Sequence, residues 1–149
     1  MEIRACTIGD VGRICELLNE LNVALHEDMR IDRDNVATNL VAMLSRPEEY
    51  LNVVACERKK IIGFISMVFY RSVYHRRGTA LINELVVESG SRGRGVGTSL
   101  LEFAIQEAKK RDMDEIEVGV MKDNTKAIKF YKANGITDEY LILGMEFET

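Results

Sequence analysis

The sequence has no tryptophan, one proline and three cysteines in 149 residues. Its single proline, Pro47, stands in "SRPEEY", and no Gly/Ser-rich tract, low-complexity segment or repeat of 20–50 residues interrupts the chain. One domain over residues 1–149 is therefore expected. Cys6, Cys15 and Cys56 are odd in number and lack C-x-x-C spacing. That argues against a disulfide framework or a cysteine metal site, so no metal is expected, and buried reduced thiols in a cytoplasmic protein are the plain reading. A long hydrophobic run is also missing. The stretch "IIGFISMVFY" is about half a membrane span, and "MEIRACTIGD" carries charges where a signal peptide needs an apolar core. A soluble protein without membrane association is expected. Basic charge is not in excess either: 20 Lys and Arg face 24 Asp and Glu, a formal charge of −4. This argues against nucleic acid as the main partner and suits a cationic substrate.

What the chain does have is an alternation of strand and helix patterns. A short strand near Ile3–Ala5 leads to Asp10, a good N-cap, and to a helix with Val11, Ile14, Cys15, Leu18 and Leu21 on one stripe. A second helix is expected over Arg33–Leu44, followed by strands "YLNVVACE" and "IIGFISMVFY" as a hairpin and a third strand "ALINELVV". The next helix turns Leu100, Leu101, Ala104, Ile105 and Ala108 inward and Glu102, Gln106, Lys109 and Lys110 outward. The strand "EIEVGV", a short helix capped by Asn124 and running to Ala133, and one or two closing strands within "GITDEYLILGMEF" complete the order. Early hairpins plus a strand–helix–strand crossover at residues 80–120 imply a mixed α/β fold. Its central sheet is mostly antiparallel with one parallel pair, and helices lie on both faces.

Between the third strand and its helix the chain reads "ESGSRGRGVGTSLL", with Gly93, Gly95 and Gly97 interleaved with Arg92 and Arg94. A glycine turn that opens a helix presents unpaired amides and the positive end of the helix dipole, so it suits an anion. Glycine lets a phosphate approach the backbone, and the arginines can add charge-assisted contacts. The plainer alternative is a turn that only needs positive φ. A G-x-G-x-x-G fingerprint fails, because Thr98 or Leu100 stands where its last glycine belongs, and no lysine completes a Walker loop. What "RGRGVG" does resemble is the Arg/Gln-x-x-Gly-x-Gly/Ala signature of the GCN5-related N-acetyltransferases. The segment "NTKAIKFYKANG" is similar to that family's Asn-x-x-Ala-x-x-Phe/Leu-Tyr…Gly segment, and the likeness runs over essentially the whole chain.

The resemblance implies a GNAT fold and transfer of an acetyl group from acetyl-CoA to a primary amine, by direct attack in a ternary complex. By it, Arg92, Gly93, Arg94, Gly95, Val96, Gly97 and Thr98 would hold the pyrophosphate. The main chain of Leu85, Val86 and Val87 would pair with the pantetheine arm where two parallel strands splay. Asn124 would cap its helix and contact the cofactor, and Tyr131 would protonate the departing thiolate. Tyr131 also fits a packed stripe with Ala127 and Ile128. A base must deprotonate the ammonium; Glu84 is the candidate, read as sharing a face with Ala80, Ile82 and Val86. A salt-bridged or solvent-facing glutamate is the alternative.

For the acceptor, the family's pocket walls correspond to "LHEDMRIDRDN" and "YRSVYHRRGT". Glu27, Asp28, Asp32 and Asp34 would attract an amine-bearing small molecule or a basic peptide, whereas Arg71, Arg76 and Arg77 would attract a carboxylate. His26 and His75 are read as exposed. Homodimers are common in the family, though no feature of the sequence demonstrates one. A non-catalytic acyl-CoA-binding or regulatory module of the same fold is the rival reading, and a nucleotide-binding protein of another fold is a third.

Overall fold

The computed structural model describes residues 1–24 and 31–148. By its contacts the chain divides into two compact units, Met1–Gly119 and Val120–Thr149.

The first unit is built on five strands in spatial order of sequence: β1 (Glu2–Ala5), β2 (Tyr50–Glu57), β3 (Lys60–Tyr70), β4 (Thr79–Val87) and β5 (Glu115–Val118). The first three pairings are antiparallel and β4–β5 is parallel. Three helices accompany them: α1 (Val11–Ala24), α2 (Arg33–Leu44) and α3 (Val96–Lys110). The expected mixed α/β sheet is thus present, and α2 has the bounds its apolar periodicity gives.

The two sheet faces are covered differently. On one face Val54, Cys56, Phe64 and Val86 join Val11, Ile14, Cys15 and Leu17 of α1 and Leu40 of α2 in one buried core cluster. On the other, Gly63 of β3 lies under α3. A Cβ there would fall 2.9 Å from Leu100 Cδ1 and 3.1 Å from Val96 Cγ1, so only glycine lets the helix start sit this close. Helix α3 buries Val96, Leu100, Leu101, Ala104 and Ala108, with Ile105 half-buried.

Asp10 does not serve as the N-cap of α1. It ends a 3-10 turn, Ile8–Asp10, that precedes the helix. Its carboxylate accepts from Thr7 N at 2.9 Å and takes both Arg4 terminal nitrogens, at 2.9 and 3.0 Å. The Arg4 guanidinium holds its pKa below the usual carboxylate range. All three cysteines are free and buried, and desolvation pushes the Cys6 thiol up to about 12. No helix among the described residues is long and apolar enough to cross a membrane.

In the second unit Asn124 caps α4 (Thr125–Ala133) by accepting from Ala127 N at 3.2 Å. The helix ends in a Schellman arrangement: Ile136 N donates to Tyr131 O, Gly135 N donates to Lys132 O, and Gly135 takes φ +93°. The closing strands expected in "GITDEYLILGMEF" are absent from the described residues; 136–148 has no regular structure, and Leu141, Leu143 and Phe147 are exposed. Strand propensity expresses itself only against a pairing partner.

Candidate active site

Two interruptions of regularity meet in the middle of β4. Its pairing with β5 runs from Thr79↔Glu115 to Ile82↔Val118 and stops, while β4 continues to Val87. At the same place the β3 register slips: Met67 faces Ile82 but Ser66 faces Glu84, leaving the exposed Asn83 as an extra residue. A bulge of this kind bends its strand. Beyond it Glu84–Val87 have no β5 partners, because β5 ends at Val118 while β4 runs on.

The bulge corrects the expected placing of Glu84. Ala80 and Ile82 pair with Phe69 and Met67 on the α3 side. Glu84 and Val86 pair with Ser66 and Phe64 on the side of the core cluster. Glu84 is half-buried, and burial alone raises its carboxyl pKa. The salt-bridged alternative is not what the structure contains: no ion pair among the described residues includes it. Val86 is buried in the core, and Leu85 and Val87 are half-buried.

The turn that follows is held from α1. Arg13 donates to Glu88 at 2.8 Å and to Ile61 O at 3.0 Å, Glu20 accepts from Ser89 N at 3.0 Å, and Ser91 donates to Glu88 at 2.9 Å. Gly93 and Gly95 then take φ +76° and +81°, with open space where a Cβ would stand. Gly95 is the N-cap of α3 and supplies no side-chain cap. The first helical bond runs from Ser99 N to Gly95 O, so the amides of Val96, Gly97 and Thr98 remain for an anion, as at any uncapped helix start. The arginines are otherwise engaged. Arg94 donates to both Glu57 oxygens at 2.9 and 2.7 Å, and Arg92 donates to Val87 O at 3.2 Å.

In the second unit Tyr131 is buried, edge-on to Phe130 with centroids 5.2 Å apart. Desolvation pushes its phenol up to about 12, so it stays protonated across the working pH range. Of the expected acceptor groups, His26, Glu27 and Asp28 lie outside the described residues. Asp32 caps α2 by accepting from Asp34 N and Asn35 N. Arg76 and Arg77 pair with Asp114 and Asp112 at the Thr79 end of β4, roughly 17 Å of strand from Glu84. His75, half-buried rather than exposed, contacts Ser72 at 2.7 Å and Glu115 at 3.3 Å. Sequence reasoning missed Asn52 and Ser66, polar residues buried within two otherwise apolar strands; that interruption was the available signal. It also missed Glu57, whose partner lies 37 residues away.

A mixed sheet in which one strand of the parallel pair runs on past its partner toward a glycine turn at a helix start is an architecture for an extended, anion-bearing ligand. The chain belongs to the Acetyltransferase (GNAT) family, whose pattern matches residues 13–136. It is 30% identical over 139 residues to an aminoalkylphosphonate N-acetyltransferase of Salmonella typhimurium, covering 90% of this chain and 83% of that one. It is 37% identical over 86 residues to an uncharacterized N-acetyltransferase of Methanocaldococcus jannaschii; that match covers 57% of this chain and spans 38% of the relative. Among solved structures, glucosamine-6-phosphate N-acetyltransferase of Arabidopsis thaliana has the same fold, with TM-score 0.81, 20% identity, and coverage of 99% and 98%.

Proposed function

We propose that residues 1–149 act as one acetyltransferase domain that moves an acetyl group from acetyl-CoA to the primary amine of a small molecule. The observation that carries the reading is the edge of β4 over Glu84–Val87, left without β5 partners and leading along the chain to the uncapped amides of Val96, Gly97 and Thr98. An extended pantetheine amide chain matches the unpaired edge of β4, and a pyrophosphate matches the uncapped helix start. Gly93 and Gly95, bare of Cβ, keep that approach open. Leu85, Val86 and Val87 pair through main chain, and Asn124 contacts the donor besides capping α4. Arg92 and Arg94 reach phosphate oxygens by exchanging their present partners, Val87 O and Glu57.

In this reading Glu84 takes one proton from the acceptor ammonium. The freed nitrogen lone pair forms the new bond to the acetyl carbon, and the carbon–sulfur bond breaks. Tyr131 gives its phenolic proton to the departing thiolate and regains one as the nitrogen sheds its second proton to become the amide. A carboxyl raised by burial suits the first role and a phenol still protonated at neutral pH suits the second. The Salmonella relative's name supports a small acceptor carrying an anionic group as well as the amine.

The test is Tyr131→Phe, assayed by CoA-thiol release over a panel of amines that includes aminoalkylphosphonates, polyamines, aminoglycosides and lysine peptides. Removing one hydroxyl should lower turnover about a hundredfold while acetyl-CoA affinity stays near wild type. Undiminished turnover would remove Tyr131 from the reaction. Binding of acetyl-CoA without thiol release on any amine would favour a binding module of the same fold.

A further inference from the structure

Three polar side chains cross one face of the sheet in a single row. Asn52 of β2 pairs in register with Ser66 of β3, and Ser66 pairs with Glu84 of β4. Directly paired residues of antiparallel strands share a face, with Cβ atoms about 5 Å apart. The next row on this face is Val54, Phe64 and Val86, all in the core cluster. Asn52 is 5% exposed and Ser66 2%. Packing alone would favour apolar residues at both positions, so their retention calls for a reason.

The bonding within the row is directional. Ser66 Oγ donates to Asn52 Oδ1 at 2.7 Å. A hydroxyl has one proton, and this one is committed to Asn52, so Ser66 has only lone pairs to offer Glu84. Asn52 Nδ2 is buried with no partner among the described residues. Several charged groups of the helices over this face have partners or neighbours elsewhere. Arg13 holds Ile61 O, Glu16 and Glu88; Glu20 holds Ser89 N; and the Arg33 guanidinium lies against Gly12.

We infer that Asn52 and Ser66 are positioning residues for Glu84: Asn52 fixes the Ser66 hydroxyl as an acceptor, and Ser66 then holds the proton that Glu84 takes from the amine. The inference rests on the reading of Glu84 as the base. No proton passes beyond Glu84. The carboxyl donates a hydrogen bond to Ser66 Oγ when protonated and faces a lone pair when ionised. The row therefore favours the protonated carboxyl and strengthens the base.

The test compares wild type with Ser66→Ala, Asn52→Leu and Ser66→Thr in two measurements. One is the pH profile of kcat/KM with acetyl-CoA and an acceptor from the amine panel. The other is the Glu84 carboxyl pKa in the substrate-free protein, by NMR with carbon-13 glutamate. Ser66→Ala removes the acceptor, and Asn52→Leu releases the Ser66 proton to turn toward Glu84. Each should lower the carboxyl pKa and move the acid limb of the profile to lower pH by about 1. Ser66→Thr, which keeps the hydroxyl, should leave both in place. An unmoved carboxyl pKa in folded Ser66→Ala and Asn52→Leu proteins overturns the inference. If Ser66→Ala does not fold, Asn52→Leu decides alone. A lowered NMR pKa with an unmoved acid limb keeps the hydrogen bond but overturns the role in catalysis, and so does an acid limb that survives Glu84→Gln.

Discussion

Gly95→Ala separates the two explanations of the glycine turn, and Gly135→Ala is its matched control. Both glycines have positive φ, +81° and +93°, and at both a Cβ would meet no atom within 4 Å. Placing alanine in the left-handed region costs roughly 1 kcal/mol. For a chain of this length that lowers the melting temperature by roughly 4 °C, and the two variants should match in a calorimetric melt. Affinity is where they part. Backbone strain is present with and without ligand, so it cancels from the binding free energy. What remains in Gly95→Ala is a methyl group where a pyrophosphate must approach the backbone. Acetyl-CoA should then bind at least tenfold more weakly by isothermal titration, about 1.4 kcal/mol, while Gly135→Ala binds as wild type. Wild-type affinity in Gly95→Ala would reduce the turn to its φ requirement alone and refute the phosphate cradle.

Two further outcomes concern pH and stability. Burial raises the Glu84 pKa, so its ionised form opposes folding: the stability present below the ordinary glutamate pKa is lost as pH rises through the raised value. Glu84→Gln should therefore melt above wild type at pH 8 and not below pH 4, and an equal gain at both would locate the effect elsewhere. Asp10 has the opposite sign, because Arg4 lowers its pKa. Its contribution is present above the ordinary aspartate value near 4 and fades as pH falls through the lowered one. Asp10→Asn should cost about 1–2 kcal/mol in neutral urea unfolding, held to that range by an Arg4 side chain that is 36% exposed. Wild type and variant should converge in acid.

Elements governed by local pattern were readable from the residues. The bounds of α2, the capping of α4 by Asn124, the hairpin of β2 and β3 and the glycine turn all follow from period, cap and turn chemistry. What escaped depends on partners distant in sequence or on a count of residues. Strict alternation put Glu84 with Ile82, because Asn83 carries no glycine or proline to announce a bulge. Asp10 looked like a cap because the Arg4 side chain that claims it is visible only once β1 and the 3-10 turn are folded. Arg94 looked free for phosphate because nothing near it in the chain foretells Glu57. Leu17 belongs to the buried core and fell outside the stripe read from spacing, whose apolar arc is wider than that stripe.

Asn83 has a meaning for how this protein can change. Glu84 would pair with Ser66 whether or not an extra residue preceded it; what the extra residue supplies is the bend that coincides with the end of β4–β5 pairing. The bulge is thus written in chain length rather than in side-chain chemistry. Substitution scanning, which alters every side chain and never the count, will leave it in place. A one-residue deletion at Asn83 instead removes the bulge and returns β4 to strict alternation. Tolerance to insertions and deletions, mapped residue by residue along β4, is the record in which this site is most sharply defined.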